Sequence, residues 1–248
     1  MTITKLHQKP YTGAFSMSGS AIKLIACICM LIDHAGAAIV ENYAIISGSE
    51  NVFFVYYLMR YIGRIAFPLF AFLLAEGFVH THSVKKYAIN LFVFAFLSEI
   101  PFDLALQGGA LEFESQNVYF TLFLGVLAMA SFDYVLKIKS LPKPFSYLFC
   151  AVCAAFFAAV AYFLKTDYDI YGVLVICAAY FLRQIRTVGS VVMYIILMID
   201  SIVEKTAILA ALPITLYNGK RGNGNKYFFY FFYPVHLLIL YGIKLLLI

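Results

Sequence analysis

One apolar segment near the start of the chain, AIKLIACICMLIDHAG over residues 21–36, restricts the fold more than any other feature. The segment is hydrophobic enough to enter a membrane, yet it carries Lys23 near its start and Asp33 and His34 deep inside. About 20 apolar residues are enough to span a bilayer, and a charged side chain near the bilayer centre costs about 2.5–3.5 kcal/mol. The three ionisable residues therefore indicate a site inside a transmembrane helix.

The spacing of these three residues along a helix divides them between two faces. Eleven residues turn a helix by about 1100° and advance it by about 16 Å. Lys23 and His34 therefore lie on one face, to within about 20°. Asp33 lies about 100° away and can face a different helix.

Apolar segments of similar length follow along the rest of the chain. The sequence is 63% hydrophobic and 12% charged, with a mean hydropathy of +0.88, whereas an ordinary soluble domain has about 45–50% apolar and 25% charged residues. We therefore predict an all-α polytopic membrane protein with about nine transmembrane helices around a polar mid-membrane cavity. The predicted spans cover residues 21–46, 52–79, 84–106, 117–137, 144–164, 169–182, 188–203, 205–217 and 227–247.

Two of the nine predicted segments and the amino-terminal arm differ from a simple membrane span. Segments 188–203 and 205–217 are shorter than an ideal span, and could be a tilted pair or a re-entrant element. Residues 1–20 are more polar and are predicted to form a cytoplasmic arm, in which Ser18 or Ser20 could cap the first helix. Residues 21–248 would then form a single transmembrane domain.

The loop charges predict an orientation in the membrane. The net charge is +5, and the basic residues are scattered over the short loops HTHSVKK, KIKSLPK, RQIRT and NGKRGNGNK, which fall on one side of the predicted topology. The alternate loops are mainly acidic, as the positive-inside rule requires. They hold the acids Glu50, Glu112, Glu114, Asp167, Asp169, Asp200 and Glu204, with only Lys165 and Lys205 as basic residues. We expect a bacterial inner-membrane protein with its amino terminus in the cytoplasm and its carboxyl terminus outside. This scattered pattern favours contact with the lipid bilayer and argues against a nucleic-acid partner.

Polar residues of several predicted spans fall at a similar depth. Arg60 and Arg64 are four residues apart in the second span, where either could form an ion pair with Asp33. The third span carries Glu99 and Asp103 around Pro101, which is expected to kink the helix. The remaining polar residues of the predicted cavity are Asn117 and Thr121 in the fourth span and Tyr233 and His236 in the last.

Each of these residues also has a structural interpretation. An Asp–Arg pair within the membrane is often structural, and Arg60 could extend its side chain towards the interface. Glu99 and Asp103 could lie near the outer interface, and His236 could be a buried, hydrogen-bonded residue. Cys150 and Cys153 have a metal-like spacing but no second pair, so we expect no metal site.

The residue types around His34 are those that acyl transfer requires. A base must take a proton from an attacking amine or hydroxyl, and cations must hold the phosphates of a coenzyme A donor. We expect His34 to be the base with Asp33 as its partner, and Arg64 to steady negative charge on the thioester oxygen, with Glu99 and Asp103 in the same cavity. The candidate donor-binding cations are Lys23, Lys85, Lys86, Arg186, Lys220 and Arg221.

Two other classes of protein fit the same residues. A proton-coupled small-solute transporter also carries carboxylates, histidines and arginines at mid-membrane. A membrane assembly factor without catalytic activity is the third possibility. The absence of a visible internal repeat counts against a carrier, while the spacing of Lys23 and His34 favours an enzyme.

The stretches IKLIACICMLIDHAGA, RIAFPLFAFLLAEGF, SEIPFDLAL, NVYFTLFLG, YNGKRG and KYFFYFFYPVHLLIL together resemble the TraX family, whose namesake acetylates the amino terminus of conjugative pilin. That family in turn resembles a broader set of transmembrane acyltransferases with a basic residue, ten residues and a histidine in the first span. Lys23 and His34 match this spacing, and Arg64 with Pro68 and Phe70 looks like the second-span motif of the set. The resemblance implies acetyl-coenzyme A as donor and an acceptor reached from outside, with a peptide amino terminus as one candidate.

Overall fold

The computed structural model describes residues 13 and 15–247, which are almost entirely helical. Much of the predicted arm lies outside the described residues. The helices are α1 (Gly19–Ser47), α2 (Glu50–His80), α3 (Val84–Gln107), α4 (Val118–Leu136), α5 (Lys143–Phe163), α6 (Asp169–Leu182), α7 (Arg186–Asp200), α8 (Ala211–Thr215) and α9 (Lys226–Leu247), with a 3₁₀ helix over Ile202–Ala210 before α8.

Six of these helices, α1 to α5 and α9, are long and apolar enough to cross a membrane. The protein is therefore an all-α, multi-pass membrane protein, as predicted. The predicted number of nine spans is not confirmed, because α6 has 14 residues and α7 has 15.

The two short predicted segments over 188–203 and 205–217 form a hairpin. Helix α7 runs to Asp200, and the chain then returns through the 3₁₀ helix and α8. Arg186 at the start of α7 donates a hydrogen bond to the Tyr217 carbonyl just after α8. The hairpin thus brings the chain back to the end of the bundle at which α7 begins.

The start of α1 is held at that same end. The Ser18 hydroxyl accepts a hydrogen bond from the Ala21 amide at 3.3 Å, which confirms one of the two predicted caps. The Gly19 amide donates to the Lys220 carbonyl at 2.8 Å, so the loop between α8 and α9 lies against the start of α1. These bonds satisfy amide groups that the first turn of a helix leaves without partners.

Three of the long helices are interrupted close to polar residues. A π-helical turn over Gly36–Val40 follows His34 in α1. In α2 the regular helix ends at Gly63 and resumes at Ala66, because Pro68 has no N–H to donate to the Arg64 carbonyl. In α3 a second π-helical turn, Asp103–Gln107, follows Pro101. The two π-helical turns pack against each other and against α9.

Helix α9 is continuous through Pro234, and a neighbouring helix compensates for the missing donor. Pro234 cannot donate to the carbonyl of Tyr230, four residues earlier. The hydroxyl of Tyr119 on α4 donates to that carbonyl instead, at 3.1 Å. A partly buried acceptor without its helical donor is thus satisfied by a neighbouring helix.

Candidate functional site

Four charged side chains from three segments form a compact ionic cluster in the interior. Arg64 donates from Nη2 to Asp33 Oδ1 at 2.8 Å and from Nη1 to Glu204 Oε1 at 2.9 Å. Arg60 donates from Nη1 to Asp33 Oδ2 at 3.0 Å. Two arginines and two carboxylates balance in charge, which is how a buried ionic group is accommodated. The predicted Asp33–arginine ion pair is therefore present.

The two arginines differ in how much of their hydrogen-bonding capacity the cluster uses. Arg64 also donates from Nε to the Arg60 carbonyl at 3.2 Å, so all three of its nitrogens are engaged. Its side chain is 13% exposed, whereas that of Arg60 is 25% exposed. The sequence also allowed Arg60 to extend towards the interface, but its side chain binds Asp33. Arg60 is therefore the more accessible cation of the cluster.

Close packing of α1 on α2 depends on glycine. A Cβ atom placed on Gly63 would overlap both the Oδ1 and the Cβ atoms of Asp33. A Cβ atom on Gly36 would lie 3.1 Å from the Cβ of Met59. Small residues let two membrane helices approach closely, and here they let a carboxylate lie against the backbone of α2.

His34, next to Asp33 in the chain, pairs with His236 of α9. His34 Nδ1 lies 2.7 Å from His236 Nε2, and the two ring planes are within 4° of parallel. Tyr233 packs its ring edge against both imidazoles, with centroids 5.8 and 5.7 Å away. The ring partner of His34 is thus His236, while the Asp33 carboxylate, expected as that partner, is bound by Arg60 and Arg64.

The hydrogen bonds of the pair assign the proton positions when both rings are neutral. His236 Nδ1 lies 2.7 Å from the Phe232 carbonyl, which can only accept, so Nδ1 of His236 carries the proton. His236 Nε2 is then an acceptor, and His34 must donate to it from Nδ1. The lone pair of His34 is left on Nε2, where it can act as a base.

Glu99, Asp103 and Asn117 connect the end of α3 to the start of α4. The Asn117 side chain donates to the Ala95 carbonyl at 2.8 Å and to the Glu99 carboxylate. Asp103 Oδ2 accepts from the Glu112 amide at 3.0 Å. All three residues therefore have hydrogen-bond partners within α3, α4 and their connection. Among the residues that the structure describes, the hydrogen bond of the His34 ring is to His236.

Thr121, another predicted cavity residue, ties α4 to the loop before α6. Its hydroxyl donates to the Asp167 carbonyl. Nearby, Gln116 in the loop before α4 forms a short parallel bridge with Thr166 in the loop before α6. The Asp167 side chain lies within electrostatic range of Arg64 and Asp33. Desolvation raises the pKa of Asp167 to about 6, although the nearby arginines oppose the shift.

The predicted donor-binding cations do not all gather in one place. Lys23 Nζ lies 4.9 Å from the centroid of the Phe229 ring, and Lys220 and Arg221 are exposed in the adjoining loop. Lys85 and Lys86 are both exposed in the first turn of α3. Three of the cations thus meet between the starts of α1 and α9.

Arg186 is the exception among these cations. It is buried and donates to the Tyr217 carbonyl, with its guanidinium group 5.1 Å from the centroid of the Tyr217 ring. This side chain holds the α7–α8 hairpin closed. Its position favours a structural contribution over the predicted contact with a donor.

The cysteines are free thiols, and Cys150 and Cys153 both lie on α5. In the part of the chain that the structure describes, no three or more His, Cys, Asp or Glu residues are placed to hold a metal ion.

Comparison with known proteins identifies the family. The family model described as TraX protein matches residues 18–244. This chain belongs to the TraX family. A protein of Dichelobacter nodosus, named probable fimbrial assembly protein FimC, serogroup H1, is 30% identical over 257 residues, which cover 93% of this chain and 97% of the relative. No solved structure matches the chain.

The TraX match runs through every helix of the structure, from the cap of α1 almost to the end of α9. It includes both histidines of the pair and all four residues of the ionic cluster. The arrangement around His34 therefore lies within the part of the chain that matches the family model.

The sequence interpretation placed Glu204 and Asp167 in acidic loops and did not connect them with the site. Asp167 does lie in the loop between α5 and α6, but within electrostatic range of Arg64. Glu204 is 2% exposed and bound to Arg64. One signal was present in the sequence: Glu204 precedes a segment too short to span a membrane, which allows the chain to turn inside the protein. The proximity of Gly63 to Asp33 had no comparable signal.

Proposed function

We propose that this protein is a membrane acyltransferase that moves an acetyl group from acetyl-coenzyme A to an amine or hydroxyl acceptor. The single observation that carries the proposal is the His34–His236 hydrogen bond, because it leaves His34 with an unprotonated Nε2. A neutral, oriented imidazole is the group that takes a proton from an attacking nucleophile. Membership of the TraX family supports the same chemistry, since the namesake of the family acetylates pilin.

The proposed reaction is a direct transfer in which His34 handles one proton. The acceptor nitrogen or oxygen attacks the thioester carbonyl carbon while His34 Nε2 removes its proton. The carbon–sulfur bond then breaks, the acetyl group remains on the acceptor, and the thiolate of coenzyme A receives the proton from His34. Negative charge builds on the carbonyl oxygen during attack, and a nearby cation stabilises it.

Arg60 is better suited than Arg64 to provide that cation. Arg64 is held by Asp33, Glu204 and a backbone carbonyl, whereas Arg60 is more exposed and donates to Asp33 from one nitrogen. We therefore assign the expected contact with the thioester oxygen to Arg60, with Arg64 and Asp33 holding it in place. Glu99 and Asp103 remain candidates for the acceptor side of the site.

The donor would approach from the end of the bundle where α1 and α9 begin. The exposed cations Lys220 and Arg221, with Lys23 between them and the interior, suit the phosphates of coenzyme A. A helix rise of about 16 Å separates Lys23 from His34, a distance that the extended pantetheine arm of the donor would have to cover. The loop charges support a cytoplasmic location for this end.

The acceptor is proposed from the relatives. The Dichelobacter nodosus protein is named a probable fimbrial assembly protein, and the family namesake acts on a pilin. A peptide amino terminus presented at the opposite end of the bundle is therefore the acceptor we favour.

Turnover of acetyl-coenzyme A tests the proposal directly. Purified protein in nanodiscs is incubated with [¹⁴C]acetyl-coenzyme A and a short peptide with a free amino terminus. Wild type should release coenzyme A and label the peptide, whereas His34→Ala should be slower by about 10²-fold or more. His80→Ala, which changes an exposed histidine at the far end of α2, is the matched control. Equal turnover by wild type and His34→Ala would show that His34 is not the base.

A proton-coupled transporter is the second candidate, favoured by the ionisable residues that α1, α2 and α9 hold together in the interior. It predicts no turnover of acetyl-coenzyme A and solute uptake driven by a pH gradient in proteoliposomes. The two functions are thus separated by two independent measurements.

A further inference from the structure

We infer that His236 is a positioning residue for His34: it accepts the Nδ1 proton of His34 and thereby keeps the Nε2 lone pair of His34 available. The inference rests on the proposed function for its kinetic consequence, but the proton positions follow from the hydrogen bonds alone. It assigns a definite role to a residue that the sequence placed either in the substrate cavity or among buried, hydrogen-bonded side chains.

His236 is itself fixed in position before it can orient its neighbour. Its Nδ1 donates to the Phe232 carbonyl at 2.7 Å, and the Phe232 ring stacks on it with centroids 4.7 Å apart and planes 21° from parallel. The Tyr233 ring packs edge-on at 5.7 Å, and the residue is only 5% exposed. A side chain held on three sides cannot easily turn its other nitrogen away from His34.

The consequence for His34 is a single tautomer and a single ring orientation. An imidazole without a fixed partner exchanges its proton between both nitrogens, and only one tautomer presents a base on Nε2. An orienting partner of this kind is usually a carboxylate. Here the adjacent carboxylate, Asp33, is occupied by Arg60 and Arg64.

A neutral partner also suits the surroundings of the pair. Burying an additional carboxylate beside His34 would place an uncompensated charge in the interior, since the ionic cluster already balances. A second imidazole orients the ring through a neutral N–H···N bond. When His34 becomes protonated during the reaction, the His236 lone pair still accepts its Nδ1 proton and stabilises the positive charge.

Nuclear magnetic resonance tests the proton positions without any substrate. The chain has five histidines, so ¹⁵N-histidine-labelled wild type in lipid gives few ring signals. We expect a ¹⁵N–¹⁵N coupling across the hydrogen bond between His34 Nδ1 and His236 Nε2, with His34 Nε2 unprotonated. A spectrum in which His34 carries its proton on Nε2, or in which the coupling is absent, would overturn the inference even if acetyl transfer is never detected.

Kinetics of two His236 variants test the functional consequence. His236→Phe keeps an aromatic ring but has no acceptor, and it should lower kcat by about 10²-fold while KM changes less than about twofold. His236→Gln places an amide oxygen near the position of Nε2 and should recover most of the lost kcat. If His236 only packed against its neighbours, the two variants would have the same kcat.

The remaining outcomes separate this inference from the proposed function. If wild type has no acetyl transfer activity, the proposed function fails and the resonance measurement alone decides the tautomer. If His34→Ala is inactive but a folded His236→Phe retains the kcat of wild type, the proposed function stands and the role of His236 is rejected. His80→Gln is the matched control and should leave kcat unchanged.

Discussion

Gly63 allows the Asp33 carboxylate to lie directly against the backbone of α2. In a helix interior, Gly→Ala normally stabilises by about 1 kcal/mol. At Gly63 the new methyl group would overlap Asp33 Oδ1, so we expect Gly63→Ala to destabilise the protein by about 1–3 kcal/mol. Thermal unfolding in detergent measures the difference.

Gly242→Ala in α9 is the control for this experiment, because nothing lies within 4 Å of the position that its new methyl group would take. That variant should be neutral or slightly stabilised. A Gly63→Ala protein at least as stable as Gly242→Ala would show that α1 and α2 do not approach as closely as described.

Asp167 gives the stability of the protein a predictable dependence on pH. Burial raises its pKa to about 6 from the ordinary 3.8, so between these values the folded state binds more protons than the unfolded state. The free energy of unfolding therefore falls as pH rises from about 4 to about 6. Asp167→Asn removes this pH-dependent loss of stability. The Tm of the variant should therefore exceed that of wild type by more at pH 7.5 than at pH 5.

Asp133→Asn is the control for the pH experiment, because Asp133 forms an i,i+4 pair with the exposed Lys137. Its effect on Tm should be small at both values of pH. An offset between Asp167→Asn and wild type that is the same at pH 5 and pH 7.5 would contradict the shifted pKa.

At the residue scale, the sequence predicts the ion pair of Asp33 but not the ring partner of His34. The cost of polar groups in a membrane makes Asp33, His34 and Arg64 candidate site residues, and helical spacing correctly allows Asp33 and His34 to face different neighbours. The bond between His34 and His236 joins residues 202 positions apart. No local pattern specifies such a contact, because it depends on how α9 packs beside α1.

Pro234 leaves one backbone carbonyl of α9 without its helical donor, and the hydrogen bond from Tyr119 to that carbonyl can be tested. Tyr119→Phe removes the donor to the Tyr230 carbonyl and should cost about 0.5–1.5 kcal/mol. Pro234→Ala restores a backbone N–H that can reach the same carbonyl. Tyr119→Phe should therefore cost less in the Pro234→Ala background, as measured by a double-mutant cycle on thermal unfolding.

Tyr134→Phe provides the control for this cycle, since Tyr134 lies on the same helix as Tyr119 but is 72% exposed. Its cost should be near zero in both backgrounds. Equal costs for Tyr119→Phe in both backgrounds would mean that the hydroxyl does not replace the missing helical donor.

At the element scale, the sequence predicts the long helices because each is a continuous apolar run bounded by polar loops. It predicts a kink at Pro101, and a π-helical turn follows that residue. It does not predict the π-helical turn after His34, where no proline is present. Nor does it settle the segment over 188–217, because a short apolar run can span, tilt or turn back.

The whole molecule has two distinct ends, and the loop charges predict which one faces the cytoplasm. In a variant without the native cysteines, we expect Glu114→Cys to react with an impermeant maleimide on intact cells. Ser140→Cys, in the basic loop between α4 and α5, should react only after the membrane is permeabilised. Labelling of both on intact cells, or the reverse pattern, would contradict the predicted orientation.

In the proposed function, one transmembrane protein joins a donor end, a histidine base and an acceptor end. The most direct test uses proteoliposomes that enclose a peptide with a free amino terminus and receive [¹⁴C]acetyl-coenzyme A only on the outside. Wild type should produce acetylated peptide inside the vesicles, detected by mass spectrometry, while His34→Ala should produce about 10²-fold less. Equal amounts of enclosed acetylated peptide from the two proteins would contradict the assignment of His34 as the base for transfer across the membrane.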